Sequence, residues 1–165
     1  MKFKYIKFRD LNDLLEKARE LMGDELFHIF LSDVKIKIVK DSHIKRLGGL
    51  YKRDFKEILV YNDYLETFFH ELGHHVFQHP KFARFFHFPY LWQAFESYKK
   101  TNYDFLGHQA KCHLEEFFAE IFSMFFCNYD HLKSYDFRLA QELEEAIQKI
   151  IDQGQEYIEV NIIWD

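Results

Sequence analysis

The stretch Leu65-Glu-Thr-Phe-Phe-His70-Glu71-Leu-Gly-His74-His75-Val-Phe77 decides how the rest of the chain is read. At about 100° per residue, Leu65, Phe68, Phe69, Leu72 and Val76 gather on one side of a helix, as a core face does. His70 and His74 project from the other side, about 40° apart. Asn62 or Asp63 is the expected N-cap, and Asp63 with Glu66 three residues later resembles a capping box. Pro80 closes the element.

Two imidazoles one turn apart can both reach a zinc ion through a ring nitrogen at about 2.0–2.1 Å. Glu71 points between the two faces, where it can polarise a water instead of binding the ion. This is the H-E-x-x-H arrangement of zinc peptidases. His75 and His79 stand apart from the pair. His79 comes one residue too early for the third histidine of the longer H-E-x-x-H-x-x-G-x-x-H pattern, and position 77 is Phe, so both read as surface or supporting residues.

A catalytic zinc needs a third protein ligand and an open position. Glu115-Glu116-Phe-Phe-Ala-Glu120-Ile-Phe-Ser-Met-Phe-Phe126 is the candidate source. With Glu116 at 0° on a helical wheel, Glu120 falls at about 40° and Glu115 at about 260°. The remaining positions are nearly all hydrophobic, so two carboxylates on one narrow stripe are costly to bury unless they bind something. Glu116 is therefore assigned as third ligand. Glu120 is assigned to accept a hydrogen bond from the free nitrogen of a zinc-bound histidine. The competing account is that Glu116 and Glu120 form ion pairs of purely structural value.

Outward from these helices the chain reads as α+β. Leu11, Leu14, Leu15, Ala18, Leu21 and Met22 repeat at helical spacing between an Asp10 cap and a Gly23 stop. Val34, Ile36 and Ile38 alternate with lysines as a half-buried strand. Leu50-Tyr51, a polar turn at 52–56 and Ile58 to Tyr61 read as a hairpin. An aromatic stretch from Lys81 to about Lys111 reads as loop or helix. It serves as core and cover for the ligand helices, with an apolar lid or subsite as the alternative. Helices follow over about 113–128 and 136–152, the latter stopped by Gly154, and the tail from Tyr157 to Trp164 has a β-like composition. The expectation is one domain over 1–165: a small N-terminal sheet, the motif helix and a helical C-terminal part.

Composition supports this and excludes other classes. The 165 residues are 48% hydrophobic and 30% charged, with only 6 Gly and 2 Pro, which suits a folded domain without long linkers. A net charge of −5 leaves no excess cations for phosphates, so no nucleic-acid partner is expected. Cys112 and Cys127 read as lying in one helix, about 22 Å apart, too far to bridge; Cys112 reads as a small buried hydrophobe, with a regulatory thiolate near the zinc as the alternative. No run is apolar and long enough for a membrane span. No signal peptide is legible, which suggests a cytoplasmic protein, with leaderless export left open. No oligomeric state follows from the sequence.

His70-Glu71-Leu-Gly-His74, followed 42 residues after His74 by Glu116-Phe-Phe-Ala-Glu120, resembles the anthrax lethal factor catalytic domain and Pro-Pro endopeptidase family. These are zincins of the gluzincin type, with two histidines from the motif helix and a glutamate from the next. The resemblance covers about 48–128. It implies Zn2+ ligands at His70, His74 and Glu116, a general base at Glu71 and a supporting role for Glu120. It also implies an edge strand, from the 50–61 hairpin, along which an extended peptide binds. In that family a tyrosine seven residues before the ligand glutamate stabilises the oxyanion. Here that position is Gln109, and the available donors rank as His108, then Tyr103, then Gln109, with His113 also nearby. A more distant likeness is to the ImmA/IrrE-type peptidases, which share the motif and a following Glu-bearing helix and act inside cells.

The expected activity is hydrolysis of a protein or peptide substrate, with Glu71 as base and a donor near His108 at the oxyanion. The rivals are a zinc-binding regulatory or interaction module without proteolysis, and a toxin-like effector protease.

Overall fold

The computed structural model describes residues 5–40, 48–102 and 106–164, with side chains up to residue 154. Tyr103, one of the expected donors, lies outside them. The chain is α+β, as expected: a three-stranded sheet near the N-terminus, with helices around and after it.

Helix α1 (Leu11–Met22) begins where the Asp10 carboxylate accepts from the Asp13 backbone N–H at 2.8 Å. It ends at Gly23, whose φ of +84° suits a residue without a Cβ. Helix α2 (Asp24–Leu31) follows at once and buries Leu26 and Phe30. Strand β1 (Lys35–Ile38) pairs in parallel with β3 (Glu57–Val60), and β2 (Gly49–Lys52) pairs with β3 in antiparallel fashion through a 3-10 turn at Arg53–Phe55. The order β1-β3-β2 puts β2 at an edge.

Helix α3 (Leu65–Gln78) carries the histidine motif. The expected capping box does not form. Tyr64 occupies the cap position, Asn62 Oδ1 accepts from the Tyr64 N–H at 3.1 Å, and the Glu66 carboxylate accepts from the Ile6 N–H at 2.8 Å. Glu66 thus ties the N-terminal segment to the motif helix instead of folding back on its own turn.

The aromatic stretch is mostly helical: α4 (Ala83–Phe86), α5 (Pro89–Lys99) and α6 (Gln109–Cys112). His113 adopts φ −140°, ψ 135° and separates α6 from α7 (Leu114–Cys127). The two cysteines therefore do not share a helix, and Cys112 is exposed, not buried. Helix α8 (Tyr129–Tyr135) precedes α9 (Phe137–Trp164). Gly154 does not end α9; a Cβ there would meet Ile29 Cδ1 at 3.1 Å, so this glycine lets α9 lie close to α2. The tail expected to be β-like continues that helix. Among the described residues no helix is long and apolar enough to cross a membrane.

The core is built largely of phenylalanine. Phe30, Phe68, Phe69, Phe86, Phe117 and Phe122 are fully buried, each worth about 1.5–3 kcal/mol relative to exposure. Their rings meet edge-on or tilted, as between Phe68 and Phe69 and between Phe86 and Phe122. This cluster clamps α3 against α7. The contact is close because Gly73 faces α7: a Cβ there would sit 3.0 Å from Ala119 Cα. The two helices that carry the candidate ligands are thereby held near enough for short side chains to meet.

Candidate metal centre

His70 and His74 lie one turn apart on α3, and Glu116 reaches them from the first turn of α7. Glu116 Oε2 is 3.2 Å from His70 Nε2, Glu116 Oε1 is 3.1 Å from His74 Nε2, and the two Nε2 atoms are 3.2 Å apart. Ligands at 2.0–2.1 Å on a tetrahedral ion are separated by about 3.3 Å. The two Nε2 atoms are spaced as two ligands of such an ion, each is faced by a different oxygen of the Glu116 carboxylate, and one ligand atom from each of the three residues lies within 4.8 Å of the others.

The opposite ring nitrogens are also held. His70 Nδ1 lies 2.7 Å from Glu120 Oε1, although the approach is too oblique for an aligned hydrogen bond. His74 Nδ1 lies 3.2 Å from Glu115 Oε2. A carboxylate at each Nδ1 would keep the proton of a neutral ring there and leave its Nε2 for an ion. Without an ion, the rings themselves carry the positive charge that the surrounding carboxylates favour. Burial disfavours the charged form of His70, yet Glu116 and Glu120 outweigh it and raise the pKa to about 10; burial is likewise outweighed at His74 by Glu115 and Glu116, giving about 9. The two histidines draw the Glu116 carboxyl far below the usual carboxylate range. The electrostatics favour positive charge at the centre.

Glu115 corrects its assignment to another side of the helix. Besides His74 it takes a hydrogen bond from Gln78 Nε2 and lies 3.8 Å from Arg53 Nη2. The step of about 100° from Glu116 is within reach of a long side chain when the helices lie as close as Gly73 allows. Glu115→Gln and Glu120→Gln should each weaken metal affinity by about 10–100-fold. Competition with a chromogenic chelator measures this, and unchanged affinity in both variants would show that these carboxylates do not orient the rings.

Glu71 sits where the motif requires, on the wall of a cavity of about 320 Å³ shared with His74, Glu115 and Glu116. Its side chain is buried against β2: a Cβ on Gly49 would come within 3.0 Å of Glu71 Cγ. Burial raises its pKa, against the pull of His70 and His74, and leaves a carboxylate more basic than usual. The remaining walls include Gly49, Tyr51 and Arg53.

Of the expected oxyanion donors, the described ones are not gathered here. His108 is exposed at the start of α6, 3.8 Å from Cys112 Sγ, and neither it nor the exposed Gln109 and His113 is among the cavity-lining residues. Tyr51 and Arg53, with Gln78 from α3, are polar residues that line the cavity instead; the first two were not signalled, because pairing across a hairpin does not show which residue reaches a site.

A second group, Asp33, His75 and His79, also brings potential ligand atoms within 4.8 Å of one another. His75 and His79 are buried, which removes the surface alternative of the expectation and leaves the supporting one. Their surroundings differ from the first group in one decisive respect. The Lys81 backbone N–H donates to His79 Nδ1 at 3.1 Å, so neutral His79 carries its proton on Nε2 and donates it to Asp33 Oδ2 at 2.6 Å. A nitrogen bearing a proton offers no lone pair to a metal. In the first group carboxylates lie at both Nδ1 atoms, so a neutral ring can give its Nε2 to an ion; in this one a backbone N–H fixes His79 Nδ1 as the acceptor and leaves the proton on Nε2.

Comparison with family models, curated proteins and solved structures finds no match to the chain.

Proposed function

We propose that this chain is a zinc-dependent endopeptidase of zincin type, hydrolysing peptide bonds of a protein or peptide substrate. The observation that carries the proposal is the triangle of His70, His74 and Glu116 ligand atoms with Glu71 on the adjoining cavity wall. A bound zinc ion would supply Lewis acidity towards water and the scissile carbonyl. Glu115 and Glu120 hold the imidazoles in the tautomer that presents Nε2. Glu71 takes a proton from the attacking water and returns it to the departing amine. Among the described residues no strand pairs with the outer edge of β2 beside the cavity, where an extended peptide can add as a further strand.

The reading of a metal-binding module without proteolysis has one observation in its favour: none of His108, Gln109 and His113 lines the cavity. Elemental analysis and a peptide-library digest separate the accounts. The expected result is about one zinc per chain after reconstitution and cleavage that a chelator stops. No bound metal would overturn the proposal; bound metal without cleavage of any peptide would establish the module.

A further inference from the structure

Strand β2 and helix α3 meet in matched steps. Gly49 and Tyr51 alternate onto the face of β2 that meets α3, while Glu71 and His75 are one helical turn apart. Gly49 lies against Glu71, and the Tyr51 hydroxyl lies 2.8 Å from His75 Nδ1. Behind His75, its Nε2 is 3.2 Å from Asp33 Oδ1, and the other Asp33 oxygen holds His79. The candidate base and Tyr51 are thus placed side by side along one wall, Glu71 on α3 and Tyr51 held from β2 by His75 one turn further along that helix.

The proton positions along this chain follow from its far end. The Lys81 N–H makes His79 Nδ1 an acceptor, so His79 donates to Asp33 through Nε2. Asp33, paired also with Lys56 Nζ at 3.3 Å, is ionised and can only accept, so His75 gives it the proton on Nε2. Nδ1 of neutral His75 is then a lone pair, and the hydroxyl proton of Tyr51 is committed to it. What Tyr51 retains for a ligand in the cavity is oxygen lone pairs.

We propose that Tyr51 accepts a hydrogen bond from a backbone N–H of the peptide bound beside β2, and that the Asp33–His75 pair positions it as an acceptor. This deepens the endopeptidase reading and rests on it. Tyr51 is therefore a substrate-binding residue and not the missing oxyanion donor, because its only proton is already given away. Asp33 and His75 act through it as positioning residues.

The test uses the whole 165-residue chain, zinc-loaded, and two kinds of probe. Acetohydroxamate addresses the metal alone; a short peptidyl hydroxamate, made also as a series with each backbone N–H methylated in turn, addresses the wall. In the wild type, methylation at one position should weaken binding by about fivefold or more beyond any steric loss seen in Tyr51→Phe. In Tyr51→Phe that extra loss should vanish, while acetohydroxamate binds both proteins equally. Asp33→Asn supplies a readout that loss of packing would not. His79 still needs the side-chain oxygen, so the amide N–H turns to His75 Nε2, the His75 proton moves to Nδ1, and the Tyr51 O–H is released towards the cavity. The selective methylation loss should then shrink although Tyr51 is present, because His75 now occupies one of the oxygen lone pairs. The same methylation profile in wild type and Tyr51→Phe would overturn the proposal. Failure of acetohydroxamate to bind the wild type would instead remove the metal reading beneath it.

Discussion

Glu71→Gln is expected to keep the metal and the fold while lowering peptide hydrolysis by about 10²–10⁴-fold, the range associated with a positioned general base. The substitution keeps the shape of the side chain, which matters because Gly49 leaves room for its Cγ but little more. His70, His74 and Glu116 remain to hold the ion. The loss should therefore fall on turnover, with zinc content by elemental analysis unchanged. Turnover equal to wild type would rule out Glu71 as the base. Loss of zinc together with activity would show that Glu71 helps to hold the ion, a different site from the one described.

The parts of the fold visible in the sequence are those set by local pattern. Asp10 and Gly23 mark both ends of α1 because a cap and a positive φ are single-residue requirements. The alternation at Ile36 and Ile38 and the polar turn at 52–56 mark the sheet for the same reason. What failed was set by tertiary partners. Glu66 has the spacing of a capping box, but the Ile6 N–H, sixty positions away in sequence, takes its carboxylate. Gly154 looks like a helix stop but serves close packing on Ile29. The break at His113 carries neither Gly nor Pro, the residues that usually announce one.

The candidate site divides in the same way. Spacing on one helix places His70, Glu71 and His74, and the cost of burying paired carboxylates points to Glu116 and Glu120. Glu115 escaped because a helical wheel treats a side chain as a direction, not as a flexible arm crossing a close helix pair. Tyr51 and Asp33 escaped because they meet His75 from a strand and a loop distant in sequence. His75 itself, at 1% exposure, looks in sequence like one more histidine in a histidine-rich helix.

His74→Ala and His79→Ala test whether two similar histidine pairs, close together in sequence, have different chemistry. His74→Ala should reduce bound zinc from about one per chain to near zero under mild chelation, since it removes one of three protein ligands and leaves Glu115 and Glu116 without the imidazole between them. His79→Ala should leave zinc content near one per chain, because His79 Nε2 carries the proton it donates to Asp33. Its cost should appear in folding instead: the Lys81 N–H and one Asp33 oxygen lose a buried partner, for about 1–3 kcal/mol in a denaturant titration. Two zinc ions in the wild type, with one lost in each variant, would contradict the proton assignment at His79 and make Asp33, His75 and His79 a second metal site. Undiminished zinc in His74→Ala would be the more damaging result. The triangle of nitrogen and oxygen atoms would then be held together by protons alone, and Glu71 would have no ion beside which to act.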